Sequence, residues 1–328
     1  MNNISVDIAI IINSYNRFAL LQECLQALER WVIHSEFKDR CAVVIYEAGS
    51  SDGSIEWLQN NAQELSFPIK LILPKATEDT SFAAGLNKGV IHAEIQFPNL
   101  KYLLFYETDN QILSKNPLTN ALFQLELQKN LGACGFTVRQ INGKPAGIGQ
   151  PFPTLFNFAI GKNLVHRFQL EAIPYQWMKG INGVEFSEVD VVYTSPLVVK
   201  LVAWKESGGL DSERFPFSDC DIDWARRLRN LGWRMGVVRS NDVIHDNQDA
   251  LSTWSKSRAI QNNRGRLRYF QRHRPIGIYI VWPFPLMLRH LIELISVKLT
   301  VKDPERRLKL SKQFLELLKS CFRKYEST

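Results

Sequence analysis

The stretch Tyr102-Leu103-Leu104-Phe105-Tyr106-Glu107-Thr108-Asp109-Asn110 decides how this chain is read. Five bulky apolar and aromatic residues in a row need burial on both faces, which a central strand of a parallel sheet provides. The strand then ends in two carboxylates, at the sheet edge where α/β proteins place their ligands. Carboxylates there either hold a divalent cation or cap the following turn, and the stretch alone leaves both open.

Working outward, strand and helix alternate. Asp7 to Asn13 is an apolar strand followed by Ser14-Tyr15-Asn16-Arg17, and apolar positions at Leu21, Leu25, Leu28 and Val32 then mark an amphipathic helix. Cys41 to Tyr46 is a strand leading into the turn-rich Glu47-Ala48-Gly49-Ser50-Ser51-Asp52-Gly53-Ser54; Ile69 to Leu73 is another, and Phe82 to His92 reads as helix. Short links between such elements predict a parallel sheet with crossover helices. Further on come a strand over Gly132 to Val138, a loop or hairpin over Ile141 to Pro153, a β-branched run at Val189 to Val202, a helix at Asp223 to Leu231 and a strand at Met235 to Val238.

The 328 residues carry a net charge of +7, unevenly spread: Lys256 to Thr328 holds 17 Lys/Arg against 5 Asp/Glu. A basic tail suits an anionic partner or is simply a solvated helix. Aromatic residues are not interleaved with those charges, which argues against nucleic acid. Pro275 to Leu288 is uncharged but only 14 residues long and contains three prolines, so no spanning helix is expected there. Pro304 to Tyr325 has the pattern of a basic amphipathic helix, suited to an anionic bilayer, to the body of the protein or to a second subunit. Five scattered cysteines without a C-x-x-C pair and a polar N-terminus predict a reduced, cytoplasmic protein without a signal peptide.

Five places carry candidate chemistry. Ser14, Asn16 and Arg17 precede a helix, where they cap it or meet an anion. The loop 47–54 is neither a P-loop nor a G-x-G-x-x-G turn, and Glu47 at its head offers a carboxylate to a base or ribose. Glu107 and Asp109 are hard oxygen donors for Mg²⁺ or Mn²⁺. Asp219, Asp221 and Asp223 alternate at a helix start; capping accounts for one of them, and mutual repulsion among the rest raises a carboxylate pKa, as a general base requires. His245 ends a short strand; a lone histidine is more often packed than a ligand.

Taken in order, S-Y-N-R at 14–17, G-S-S-D-G-S at 49–54, F-A-A-G-L-N-K-G at 82–89, Y-L-L-F-Y-E-T-D-N at 102–110, G-G-L-D at 208–211, F-P-F-S-D-C-D-I-D at 215–223, R-L-R-N-L-G-W at 227–233 and V-I-H at 243–245 resemble the family 2 glycosyltransferases. These are inverting enzymes of GT-A fold, and the nearest branch is the rhamnosyltransferase-like group of bacterial surface polysaccharide synthesis. The resemblance implies an α/β fold with a mostly parallel Rossmann-like sheet flanked by helices. It implies a transferase domain over residues 1–273, with a nucleotide-binding part to about 130 and an acceptor part beyond, then a helical C-terminal extension over 274–328.

By position, the resemblance assigns donor binding to Ser14, Asn16, Arg17, Glu47 and Asp52, and closure over nucleotide and sugar to the stretch with Phe82, Gly85 and Asn87. Glu107 falls to ribose or metal, Asp109 and His245 to the metal, and Asp221 to the catalytic base. The implied partners are a nucleotide-diphosphate sugar, a saccharide or lipid-linked acceptor, Mg²⁺ or Mn²⁺ and an anionic membrane at the inner face. Two positions depart from the family: Cys220 stands where a Glu usually precedes the base, and Glu107 where relatives often have Asn or Asp. Cys220 keeps Asp219 and Asp223 as rival bases and supports an inactive binding or scaffold protein as an alternative. A sugar nucleotidyltransferase is the other alternative, against which Asn13 to Arg17 lacks a glycine-rich phosphate loop.

Overall fold

The computed structural model describes residues 6–61, 64–147, 149–170, 175–180, 183–193, 196–245 and 256–321. They cluster into two compact units. The first comprises Met1–Gln150, Pro174–Ser212 and Asp221–Asn247, the second Pro151–Ile173, Glu213–Cys220 and Gln248–Thr328.

In the first unit the strands are β1 (Ile8–Ser14), β2 (Cys41–Glu47), β3 (Ile69–Ile72), β4 (Tyr102–Phe105), β5 (Asn110–Ile112), β6 (Leu131–Phe136), β7 (Val138–Arg139), β8 (Pro145–Gly147), β9 (Met178–Lys179), β10 (Glu185–Val189), β11 (Leu197–Lys200), β12 (Arg234–Val238) and β13 (Val243–His245). Nine of them form one sheet in the order β3-β2-β1-β4-β11-β6-β12-β10-β9. The pairs β2/β3, β1/β2, β1/β4 and β6/β12 are parallel, while β11 and β10 run against their neighbours. The mixed α/β sheet with helices is a GT-A fold. Leu103, Leu104 and Phe105 of β4 are wholly buried, each worth about 1.5–3 kcal/mol of transfer free energy. That is why an uninterrupted apolar run occupies the middle of the sheet.

Helices α1 (Phe18–Val32), α2 (Ser54–Asn61), α3 (Phe82–Gln96), α4 (Asn116–Leu127), α7 (Leu201–Ser207) and α8 (Cys220–Asn230) accompany this sheet. α8 starts three residues earlier than the sequence pattern predicts, so Asp221 and Asp223 sit in its first turn, where acid is favoured by the helix dipole. A second sheet, β5-β13-β7-β8, pairs β7 with β8, so the segment from Ile141 to Pro153, read as loop or hairpin, holds part of the turn and the second strand of a hairpin that begins at Val138. Its β13 runs antiparallel to β5 and sets His245 opposite Asn110.

The second unit is helical: α5 (Leu155–Ile160), α6 (Lys162–Arg167), α9 (Lys256–His273), α10 (Pro275–Thr300) and α11 (Pro304–Ser320). α10 is longer than its prolines suggested. A π turn at Trp282–Leu286 takes up Pro283 and Pro285, and the helix continues to Thr300. Proline lacks an N–H and crowds the preceding turn of an α-helix, and the wider π turn accommodates it. By length and composition alone α10 could cross a membrane. The basic helix expected to reach Tyr325 is α11; Phe322 to Tyr325 lie outside the described residues.

Candidate active site

The carboxyl ends of β1, β2 and β4 lie side by side, with Ser14 in register with Glu47 and Ile11 with Phe105. The loops leaving them are tied together. Asn16 adopts φ 50°, a left-handed conformation that asparagine tolerates. Its N–H donates to Ser50 Oγ at 2.7 Å, and its side-chain oxygen accepts from Ser51 N at 2.9 Å. Asp52 accepts from Phe18 N at 2.8 Å through one oxygen and from Ser54 N at 3.1 Å through the other, so one carboxylate serves the first turns of both α1 and α2. Glu47 is wholly buried and accepts from Ser50 N at 2.8 Å and Ser50 Oγ at 2.5 Å through Oε1.

Unused polar atoms gather at the same edge. Among the described residues Asn13 Oδ1, Ser14 Oγ and Glu47 Oε2 are buried without a hydrogen-bond partner. A buried, unsatisfied carboxylate oxygen costs about 1–3 kcal/mol or more, and a native fold retains such groups where a ligand, an ion or an ordered water supplies the missing partner.

α3 closes the site from the next crossover. Asn13 Nδ2 donates to Phe82 O at 3.4 Å. Gly85 is required by close approach: a Cβ there would lie 2.7 Å from Tyr46 Cδ1 and 2.8 Å from Asn13 Oδ1. Asn87 turns away to the loop after α7, donating to Leu210 O at 2.7 Å and accepting from Leu210 N at 3.0 Å. Arg227 of α8 holds that loop too, donating to Ser207 O and, at 2.6 Å, to Gly209 O, while its Nε meets Asp223 at 2.8 Å. Neither the loop clamp nor a role for its arginine was legible in the sequence; the signals were G-G-L-D at 208–211, Asn87, and R-L-R-N-L-G-W at 227–233, which opens on Arg227. Arg227→Met is expected to cost roughly 3–5 kcal/mol, because the wholly buried Asp223 carboxylate loses its cation. Urea denaturation measures this, and adding Asp223→Leu should recover part of the loss.

Glu107, Asp109 and His245 bring ligand atoms within 4.8 Å of one another. Asp109, 1% exposed at its side chain, meets Arg17 Nη1 at 2.9 Å through Oδ2 and lies 3.5 Å from His245 Nε2 through Oδ1. Burial pushes the Glu107 carboxyl up to about 7, and the charges of Asp109 and Asp221 add to this. Burial also opposes ionisation of Asp109, but the bonds and charges of His245 and Arg17 outweigh it and hold its pKa below the usual carboxylate range. His245 is the mirror case: burial disfavours its charge, and Asp109 and Glu107 more than restore it, leaving it raised. Two carboxylates supply hard oxygen donors of the kind that suit Mg²⁺ or Mn²⁺, and the imidazole adds a borderline nitrogen donor, so the three together can hold a divalent cation.

Asp221 accepts from Ile222 N at 2.9 Å, and its charge reaches Glu107. Its rivals are each bound to an arginine: Asp223 to Arg227, and Asp219 in the second unit to Arg266 at 2.7 and 3.3 Å.

A GT-A fold with clustered carboxylates at the carboxyl edge of its sheet defines a nucleotide-sugar transferase architecture. The family described as Glycosyl transferase family 2 matches residues 9–162 of the 328. The fold of the chain is similar to a mannosyltransferase from Pyrobaculum calidifontis in complex with GDP-Man and Mn²⁺, with a TM-score of 0.55, 15% identity, and coverage of 96% of this chain and 86% of that one. It is also similar to residues 1–349 of S. aureus TarS, with a TM-score of 0.50, 14% identity and coverage of 98% and 93%. The chain spans 43% of the longer TarS structure. No protein of curated function matches it in sequence.

Proposed function

We propose that the chain is an inverting glycosyltransferase that moves a sugar from a nucleotide-diphosphate donor to an acceptor hydroxyl. The observation that carries this is the cluster of Glu107, Asp109 and His245, which follows β4 at the same carboxyl edge of the sheet as the buried unpartnered Glu47 Oε2 at the end of β2, with the charge of Asp221 acting on Glu107. Ser14, Asn16, Arg17, Glu47 and Asp52 form the nucleotide side, with Asp52 acting by shaping the loop and Glu47 by offering an acceptor to the base or ribose. Phe82, Gly85 and Asn87 form and anchor the wall over the sugar. Mg²⁺ or Mn²⁺ held by Asp109, His245 and Glu107 would neutralise the departing diphosphate.

Asp221 takes the proton as the acceptor oxygen attacks the anomeric carbon opposite the leaving group. The new C–O bond forms as the bond to the diphosphate oxygen breaks, so one displacement inverts the configuration. Residues 1–130 serve the donor, 131–273 the acceptor, and 274–328 an anionic membrane or a second copy. A saccharide or lipid-linked saccharide acceptor, in cell-surface polysaccharide or glycolipid assembly at the inner membrane face, agrees with that basic extension.

The test is thermal shift with Mn²⁺ against a panel of nucleotide sugars, followed by NMR of the product anomer. One donor should stabilise the chain in the presence of Mn²⁺ and yield an inverted product; a retained anomer or indifference to every donor would end this reading. Because a cation competes with the proton on Glu107, stabilisation by Mn²⁺ should be larger at pH 8 than at pH 6. An equal shift at both values would remove Glu107 from the ligand set.

A further inference from the structure

The exposed face of α10 is apolar along most of its length. From Pro275 to Ile295 every exposed residue is apolar or aromatic, and the first exposed charge beyond them is Lys298. Ile276, Tyr279, Ile280, Phe284, Leu288 and Leu299 are 57–80% exposed. A helix of this length runs about 39 Å. Monomeric soluble proteins rarely leave so continuous an apolar strip in water.

The π turn is what makes these residues one strip. From Ile276 to Leu299 an unbroken α-helix would carry the positions around its axis by about 140°. One extra residue in the turn at Trp282–Leu286 sets the rotation back, to about 40°.

The opposite face is occupied. Ile278, Leu286, His290 and Leu294 are buried within the helical unit. Arg289 donates to Phe158 O, and His290 Nδ1 lies 2.9 Å from Glu293. Three ionisable residues near the middle of α10, all turned to the protein side, are costly in a helix that crosses hydrocarbon. They suit a helix lying in the plane of a membrane interface.

The charges around the strip select its occupant. Arg274, Lys298 and Lys302 flank it, and Arg306, Arg307, Lys309 and Lys312 of α11 are exposed. A symmetric pairing of two copies would set this cationic surround against itself. Anionic lipid headgroups complement it.

We propose that α10 docks in plane on an anionic phospholipid bilayer, with the strip from Ile276 to Leu299 in the acyl boundary and the cations at the headgroups. The proposal is independent of the donor chemistry and assigns the membrane contact to α10, with α11 in an electrostatic role.

Flotation of the full chain with vesicles tests it. The chain should float with 1:1 phosphatidylglycerol/phosphatidylcholine and at least tenfold less with phosphatidylcholine alone. The variant Ile280→Glu/Phe284→Glu/Leu288→Glu, altered only at exposed positions, should lose at least tenfold in partitioning while melting as the parent does. Single variants at the same positions, each losing part of the binding, guard against misfolding of the triple. Failure of the parent to float, parent-like flotation of the triple variant, or resistance to carbonate extraction at pH 11 would each overturn in-plane docking. So would a lipid-free dimer that the triple variant converts to monomer.

Discussion

Asp221→Asn is expected to lower transfer by about 10²–10⁴-fold, the range for losing a positioned general base, while donor affinity changes less than about twofold. The substitution keeps the shape of the side chain and an oxygen for Ile222 N, so the first turn of α8 retains its bond. What is lost is the capacity to accept the proton. Glu107 reports on the change independently, since the Asp221 charge contributes to its raised pKa and neutralising Asp221 must move it down. Single-turnover rates with saturating donor and Mn²⁺ measure the first effect, and the pH dependence of the Mn²⁺ thermal shift the second. Parent-like turnover in Asp221→Asn would return the base to Asp219 or Asp223, both held by arginines.

The fold was largely legible because its central strands are written in uninterrupted apolar residues. Ile8 to Ile12, Cys41 to Tyr46 and Tyr102 to Phe105 are buried, and the acids at their ends follow from strand direction alone. The partner of Asp109 was less visible as geometry. β13 and β5 are three residues each, too short to show a period, and they bring His245 beside Asp109 across more than a hundred residues of chain. Resemblance supplied that pairing, and the register supplies its physical reason. α10 was cut short in the sequence because Pro283, Pro285 and Arg289 each read as a break. The π turn absorbs the prolines and the arginine folds back onto Phe158, neither of which a hydropathy window registers. The apolar strip becomes apparent once the helix is continuous.

Asp109→Asn is expected to remove the Mn²⁺ thermal shift and to reduce transfer by about 10³-fold or more, since neutralising a developing diphosphate charge is worth several kcal/mol. Two further consequences separate this loss from misfolding. The Asp109 pKa is depressed in the fold, so its stabilisation is present above the unfolded carboxylate pKa and lost as pH falls through the folded one. At pH 7 without a cation, Asp109→Asn therefore destabilises the chain, because Arg17 and His245 lose their anion. His245 also owes its raised pKa to the bond and charge of Asp109, so its titration should move down in the variant. NMR titration of the His245 ring and metal-free melting at pH 7 check both. A parent-like Mn²⁺ shift in Asp109→Asn would take the cation away from this cluster and leave the Arg17–Asp109 pair as a structural bond between the β1 and β4 loops.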